Sequence, residues 1–225
     1  MSKTFFVTGT DTEVGKTAIS CALLRAAASQ GLETAAVKPV AAGCDQHGQN
    51  EDALQLMSAM TAELDYCQVN PVALEPAIAP HIAAAQAGKT LQASRLAGLC
   101  RGVMLAGADF TLIEGAGGWR VPISPRETLA DLAVQLDIPV ILVVGMRLGC
   151  INHALLTAEA IRHDGLNVAG WVANQPAKPM NCYRENFETL QRMLPAPCLG
   201  EVPHLSPWDV EMAGEMLDLQ YLRLK

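Results

Sequence analysis

Short apolar runs alternate with amphipathic helical stretches along most of the chain. The runs lack the polar alternation of a sheet with one solvated face, so they predict a parallel sheet that helices cover on both sides. We predict strands over residues 4–8, 34–37, 110–113, 140–144, 168–173 and 198–202. We predict helices from residue 14 to a stop at Gly31, and over residues 51–60, 91–105, 128–136, 152–162 (capped by Asn152) and 182–194.

Two stretches interrupt this alternation. Residues 41–50, AAGCDQHGQN, are mostly polar and contain glycine, which predicts a loop. Residues 62–90 contain Pro71, Pro76 and Pro80, so we expect irregular chain with one short helix after Pro80. No repeat or change of composition divides the sequence. The pattern therefore predicts a single α/β domain over residues 1–225, with a mostly parallel sheet and helices on both faces.

Composition and charge narrow the possible functions. Of 225 residues, 50% are hydrophobic and 17% are charged, which argues against disorder. The formal net charge is −7 and no basic stripe is visible, so we expect no nucleic-acid partner. The longest apolar run, residues 138–144, is too short to cross a bilayer, and MSKTFFVTG is not a signal peptide, so we expect no membrane partner. Seven cysteines without a Cys-x-x-Cys pair argue against a disulfide framework and favour the cytoplasm.

The strongest candidate for chemistry is GTDTEVGKT, which runs from Gly9 to Thr17 between a predicted strand and a predicted helix. That context is the one a phosphate-binding loop requires, although five residues rather than four separate Gly9 from Gly15. Backbone N–H groups and the helix N-terminus would attract phosphate oxygens. Lys16 can reach the terminal phosphates and Thr17 can offer its hydroxyl to Mg²⁺. The alternative, a glycine turn with a surface lysine, leaves this context unexplained.

Other candidate residues follow neighbouring strands. Glu114 ends the buried strand of ADFTLIEGAGGW, and Lys38 ends the strand of VKPVAAGC. Because ligands bind at the carboxyl edge of a parallel sheet, we expect both side chains near the phosphate loop. The alternatives are a solvent-facing Glu114 and an ordinary surface lysine at position 38. Asp52, in NEDALQL, is better explained on its own as an acid stabilising the start of a helix.

Three further features are weaker. Gly149 and Asn152 lie where a helix begins, so backbone N–H groups could bind an anion there. Cys150 and His153 resemble a nucleophile and its base, but no activating third group is visible, and a core cysteine is the preferred interpretation. Asn174, at the end of GWVANQ, can contact a purine edge or can be a plain turn residue. The remaining histidines show no spacing typical of metal ligands, so we expect no transition-metal site.

Taken in order, the motifs resemble the dethiobiotin synthetase family of biotin biosynthesis, to about residue 205. The resemblance rests on FVTGTDTEVGKT, VKPVAAG, NEDALQL, EGAGGW, PVILVVGMRLGCINHALLTAEAI, GWVAN and LPAPCLGEVP. The longer phosphate loop is normal for this family, which has a P-loop NTPase fold. The resemblance implies an ATP- and Mg²⁺-dependent ligase. It would join CO₂ to 7,8-diaminononanoate through a carbamate and a carbamic-phosphoric anhydride, and release dethiobiotin, ADP and phosphate.

The same resemblance implies residue roles. Lys16, Lys38 and Thr12 would be catalytic, and Thr17, Asp52 and Glu114 would surround Mg²⁺. The nucleotide would contact residues of the phosphate loop and of later strand ends, namely Glu13, Val14, Gly15, Lys16, Thr17, Ala18, Asp52, Glu114, Gly115, Ala116, Gly117, Asn174, Gln175, Pro203, His204 and Leu205. The substrate would contact Thr12, Lys38, Ala42, Gly149, Cys150, Ile151 and Asn152. The family is homodimeric, and the last four of these would bind the substrate carboxylate across the interface.

Some features leave alternatives open. Ala42 stands where the family commonly has a serine, Gln175 stands where an acidic residue is common, and the tail beyond Leu205 does not align. A partition-type regulatory ATPase is one alternative, although such proteins usually carry a second lysine near the position of Asp11. A second is a related ATP-dependent ligase with a different substrate, and a third is a member of the same family with altered specificity, which Ala42 keeps open.

Overall fold

The computed structural model describes residues 2–178 and 180–224. The strands are, in chain order, β1 (Lys3–Gly9), β2 (Thr34–Val37), β3 (Val40–Ala42), β4 (Val72–Leu74), β5 (Phe110–Glu114), β6 (Val140–Gly145), β7 (Val168–Asn174) and β8 (Cys198–Val202). The helices are α1 (Lys16–Ser29), α2 (Glu51–Ala59), α3 (Tyr66–Val69), α4 (Pro80–Gln86), α5 (Ala93–Met104), α6 (Leu129–Leu136), α7 (Cys150–His163), α8 (Tyr183–Met193) and α9 (Val210–Glu215), followed by a 3-10 turn at Gln220–Leu222.

The main sheet has six strands in the order β2-β5-β1-β6-β7-β8, and every neighbouring pair is parallel. All six strands predicted from the apolar runs are present in it. The α/β prediction with helices on both faces is therefore confirmed. The order places β1, which leads into the phosphate loop, between β5 and β6 at the centre of the sheet. The loops that follow these central strands consequently meet at one carboxyl edge.

Burial explains why the central strands are mostly apolar. Phe5 and Val7 point into a core layer with α1, α2 and α9, whereas Phe6 points into a second layer with α5 and α6. Because successive side chains of a strand face opposite sides, burial on both sides removes any polar alternation. Farther along the sheet, Trp171 of β7 packs with Phe187 of α8 in a third cluster.

The structure corrects three expectations. Within the predicted loop and irregular regions, β3 and β4 form a small parallel sheet, with Val40 opposite Val72, and α3 lies just before β4. Elements of three or four residues are too short to show periodicity, so the sequence pattern did not predict them. The cap at Asn152 is also wrong, because α7 begins at Cys150 after Gly149, whose φ of 95° lies in the left-handed region.

The C-terminal segment, which the sequence left unassigned, packs against the sheet. Helix α9 contacts α1, and Ala213 is fully buried in the same core layer. The Asp218 amide then donates a 2.7 Å hydrogen bond to the Leu199 carbonyl of β8. Among the helices of the described residues, none is long and apolar enough to cross a membrane.

Gly200 of β8 lies where this segment crosses the strand, and we predict that Gly200→Ala destabilises the protein. A Cβ at that position would lie 2.2 Å from the Met216 carbonyl oxygen, which is backbone and moves only with the segment. We expect the free energy of unfolding to fall by about 1–3 kcal/mol in urea denaturation.

The matched control is Gly98→Ala in α5, because a Cβ there meets nothing within 4 Å. The control should raise the free energy of unfolding by up to about 1 kcal/mol, since alanine favours a helix over glycine. Equal stability of the two variants would contradict the close contact at Gly200.

Candidate active site

The phosphate loop joins β1 to α1, and the neighbouring strand ends hold it in place. The Thr10 amide donates to the Val143 carbonyl at 3.0 Å, and Asn174 Nδ2 donates to the Val14 carbonyl at 2.8 Å. Gly15 has a φ of 84°, and a Cβ there would lie 2.2 Å from Asn174 Nδ2. Glycine is therefore required at position 15 by conformation and by space.

Lys16 is the first helical residue after this loop. Its side chain is buried, and Nζ donates to the Asp11 carbonyl at 3.3 Å. Burial, together with the charge of nearby Lys38, lowers the pKa of Lys16 to about 8. Burial has removed water from this ammonium group, and its hydrogen bond to the Asp11 carbonyl replaces only part of that hydration. The site therefore favours an anionic ligand, because phosphate oxygens would replace the rest.

An ion cluster, buried except at Asp52, lies beside the loop. Lys38 Nζ is 2.6 Å from Glu114 Oε1 and 2.8 Å from Asp52 Oδ2, while the Thr17 hydroxyl donates to Glu114 Oε1 at 2.8 Å. Burial alone would lower the pKa of Lys38, but the charges of Glu114 and Asp52 outweigh it and raise that pKa. Lys38 is therefore a charged residue of the site, and both carboxylates contact it, with Glu114 fully buried and Asp52 partly exposed.

The pKa of Asp52 is lowered in the same way. Burial raises it, but the charge and hydrogen bond of Lys38, together with Thr17 and Lys16, lower it by more. Asp52 also lies in the first turn of α2, where a carboxylate stabilises the helix. Asp52 thus both stabilises the start of α2 and belongs to the ion cluster.

The donor set fits Mg²⁺ better than a transition metal. In the part of the chain that the structure describes, no cluster of three or more His, Cys, Asp or Glu side chains could hold a metal ion. Mg²⁺ commonly takes one or two carboxylates and completes its shell with substrate phosphates and water. Thr17, Asp52 and Glu114 offer that kind of set, and buried Glu114 Oε2 has no hydrogen-bond partner.

A cleft of about 690 Å³ opens beside these groups. Lys16, Lys38 and Thr12 line it. Its lining also includes an apolar group, namely Ala77, Ile78, Ala79, Pro80, Val121 and Pro122. The cleft thus suits a small molecule with a charged reacting end and an aliphatic body.

The structure adds detail to the predicted lining of the cleft. Glu13, Gly15, Thr17, Ala18, Ala42, Asp52, Ala116 and Gly117 line it as well. Asn50 and Arg120 also line it but were missed. Arg120 directly follows the glycine-rich EGAGGW and was within reach of sequence reasoning, whereas Asn50 resembles any helix cap.

Other predicted residues lie outside this cleft. Cys150 is buried in the core, and burial raises the pKa of its thiol, which agrees with a core cysteine rather than a nucleophile. Gly149, Ile151 and Asn152 surround it at the start of α7. The backbone amide of Gln175 donates a hydrogen bond to the Val202 carbonyl at the end of β8. This contact brings Gln175 near the residues that follow β8, namely Pro203, His204 and Leu205.

Comparison with known proteins extends these observations. A family model described as an AAA domain matches residues 3–211. The chain is 59% identical over 220 residues to the ATP-dependent dethiobiotin synthetase BioD of Cellvibrio japonicus, covering 96% of each. It is 57% identical to the ATP-dependent dethiobiotin synthetase BioD of Pseudomonas aeruginosa PAO1, with 97% of each covered. It is 48% identical to BioD 1 of Escherichia coli O157:H7, covering 100% of this chain and 99% of the relative.

Solved structures with the same fold are more distant in sequence. The MinD cell division protein of Aquifex aeolicus is 16% identical with a TM-score of 0.58, covering 97% of this chain and 88% of its own. The ParA family ATPase of Chlorobium tepidum TLS is 13% identical with a TM-score of 0.57, covering 98% and 92%. At this identity the likeness shows the P-loop NTPase fold alone.

We predict that Asn174→Ala weakens the phosphate loop, because it removes the hydrogen bond to the Val14 carbonyl. The dissociation constant for ATP, the nucleotide that the sequence predicts, should rise about tenfold in calorimetric titration. Asn186→Ala is the control, because Asn186 Nδ2 makes a hydrogen bond of the same 2.8 Å length to the Cys182 carbonyl at the surface. A rise of similar size in both variants would contradict a specific role for Asn174.

Proposed function

The chain belongs to the dethiobiotin synthetase family, and we propose how the residues of its cleft carry out the family's reaction. It is an ATP-dependent ligase that forms dethiobiotin in biotin biosynthesis. The observation that best supports the residue roles is that Lys16, Thr17, Lys38 and Asp52 line one cleft, while buried Glu114 contacts Thr17 and Lys38 from behind it.

We propose that the substrates are 7,8-diaminononanoate, CO₂ and ATP. One amine takes up CO₂ as a carbamate and releases a proton. A carbamate oxygen then attacks the γ-phosphorus of ATP, and ADP leaves with the electrons of the broken P–O bond. The second amine attacks the carbamoyl carbon of the mixed anhydride, which closes the cyclic urea and expels phosphate. The apolar residues that line the cleft suit the hydrocarbon body of this substrate.

Charge is the main obstacle to the phosphoryl transfer, because a carbamate anion must approach a triphosphate. Lys16 and Lys38 present two positive charges to the cleft, and Thr12 adds a hydroxyl. Preorganised charges of this kind stabilise the transition state because they need no rearrangement during the reaction. We assign Lys16 to the terminal phosphates, and Lys38 and Thr12 to the carbamate and the transferring group.

The remaining roles concern binding. Thr17, Asp52 and Glu114 would hold Mg²⁺ with the nucleotide phosphates, and the bound ion would neutralise charge on the triphosphate. Other nucleotide contacts are assigned to Glu13, Val14, Gly15, Ala18, Gly115, Ala116, Gly117, Asn174, Gln175, Pro203, His204 and Leu205. Ala42, which we assign to the substrate, brings a methyl group to the cleft where the family commonly has a hydroxyl.

We predict that Lys16→Ala and Lys38→Ala each lower kcat by about 10²–10³ or more, since each removes a charge that acts on the transition state. The assay supplies diaminononanoate, bicarbonate, ATP and Mg²⁺, and measures dethiobiotin together with substrate-dependent ADP release. Lys89→Ala is the control, because Lys89 is exposed and lies outside this cleft. Wild-type turnover in either active-site variant would contradict the assigned roles.

We further propose a homodimer in which Gly149, Cys150, Ile151 and Asn152 of the partner subunit receive the substrate carboxylate. The start of α7 supports this, because Leu148 is 91% exposed immediately before it and Leu156 is 57% exposed along the same helix. A second copy would cover these leucines and bring a helix N-terminus, which favours anions, to the far end of the substrate.

The corresponding prediction is that Leu148→Asp gives a monomer by sedimentation and lowers kcat/KM for diaminononanoate at least about tenfold, because the carboxylate site is lost. Leu105→Asp is the control, since Leu105 is 85% exposed after α5 and should leave the dimer intact. A dimeric Leu148→Asp variant, or a wild-type monomer, would contradict this interface.

The regulatory alternative gains no specific support. Asp11, close to where partition-type ATPases usually carry a second lysine, pairs with Arg147 instead. The likeness to MinD and ParA extends to the fold only. We propose instead a cytoplasmic biosynthetic enzyme with residues 1–225 in one domain. The cysteines support the location, since none of those in the described residues forms a disulfide.

A further inference from the structure

A hydrogen-bonded network behind the cleft connects the segments that carry Lys38 and Asp52. It consists of Tyr66, Asn50 and Asn70, and we call it the Tyr66 network. The Tyr66 hydroxyl accepts a 2.7 Å hydrogen bond from the Asn50 amide and donates a 3.0 Å hydrogen bond to Asn70 Oδ1. One hydroxyl thus joins two asparagines that are twenty positions apart in sequence.

On one side the network fixes the backbone of Lys38. Asn70 Nδ2 donates to the Lys38 carbonyl at 2.7 Å, and the Lys38 amide donates to the Val69 carbonyl at 2.7 Å. The bond from Tyr66 to Oδ1 also sets the orientation of the Asn70 amide, because only Nδ2 can then donate to Lys38. Asn70 is 3% exposed, so water cannot easily replace these contacts.

On the other side the network fixes the start of α2. Asn50 is the N-cap of this helix, and its Oδ1 accepts from the Ala53 amide at 3.4 Å. Asp52 lies two positions beyond Asn50, in the first turn of the helix. Asn50 Nδ2 also donates to the Ala42 carbonyl at 3.3 Å, which ties the cap to β3. Any shift of Asn50 would therefore move Asp52 relative to the sheet.

We propose that Tyr66 is a positioning residue for catalysis, whose hydroxyl holds the backbones of Lys38 and Asp52 at the separation that the ion cluster needs. This inference rests on the proposed roles of those two residues. Tyr66 itself is placed for support, because it lies on α3, packs its ring against the core and is absent from the lining of the cleft. A change of about 1 Å in such a site costs substantial rate.

The test uses Tyr66→Phe, which keeps the ring and removes only the hydroxyl. We expect kcat for dethiobiotin formation to fall about tenfold and the Mg²⁺ concentration for half-maximal rate to rise severalfold. The dissociation constant of ADP, measured without Mg²⁺, should stay within about twofold, because the phosphate loop does not depend on the network. Asn70→Asp should likewise lower kcat and raise the Mg²⁺ requirement with little change in ADP binding, since it keeps the acceptor for Tyr66 and loses the donor to Lys38.

The control is Tyr221→Phe, which removes a hydroxyl from a tyrosine that is 50% exposed and far along the chain, and which should match the wild type in all three quantities. A kcat within twofold of wild type in Tyr66→Phe would overturn the proposal. A parallel loss of ADP affinity would also overturn it, because the network would then be general structural support. Wild-type turnover in Lys38→Ala, measured alongside, would instead identify the proposed function as the failing premise.

Discussion

The site depends on the ion pairs that Lys38 makes with Glu114 and Asp52. These three charged residues come from the end of β2, the end of β5 and the first turn of α2. A buried ion pair contributes little net stability, because desolvation offsets the attraction. However, a buried charge without a partner strongly destabilises the fold. The ion cluster therefore favours one arrangement of these three elements. The main effect of the cluster is therefore on position rather than on stability.

The positions of the two active-site lysines explain how an acidic protein holds a site for highly charged anions. The formal net charge is −7, so attraction to ATP must be local. Lys16 supplies it with a buried ammonium whose pKa is lowered to about 8, which is a sign of poor compensation in the free protein. Lys38, by contrast, already has two carboxylate partners. The two lysines thus differ in their electrostatic environment, and a bound phosphate would relieve a deficit at Lys16 alone.

The sequence pattern predicted the longer strands and helices and missed the short strands, which depend on tertiary pairing. Short runs rich in apolar residues revealed every strand of the main sheet, because central strands buried on both faces leave a continuous signal. Strands β3 and β4 have three residues each and pair Val40 with Val72, far apart in sequence, so no local pattern marks them. The same limit applies to the site. Lys38 and Glu114 followed from strand ends at one edge, whereas the roles of Asn50 and Tyr66 become visible only once their hydrogen bonds are known.

The length of the phosphate loop has a structural meaning in this context. Glu13 has a φ of 58° and Gly15 a φ of 84°, so the backbone turns twice within three residues while Asn174 holds the Val14 carbonyl between them. Positive φ is uncommon for a residue other than glycine, and it persists where surrounding contacts enforce it. With Val14 buried, Thr12 and Glu13 are left facing the cleft that also contains Lys38. This geometry supports the proposal that the additional residue turns Thr12 and Glu13 towards the substrate.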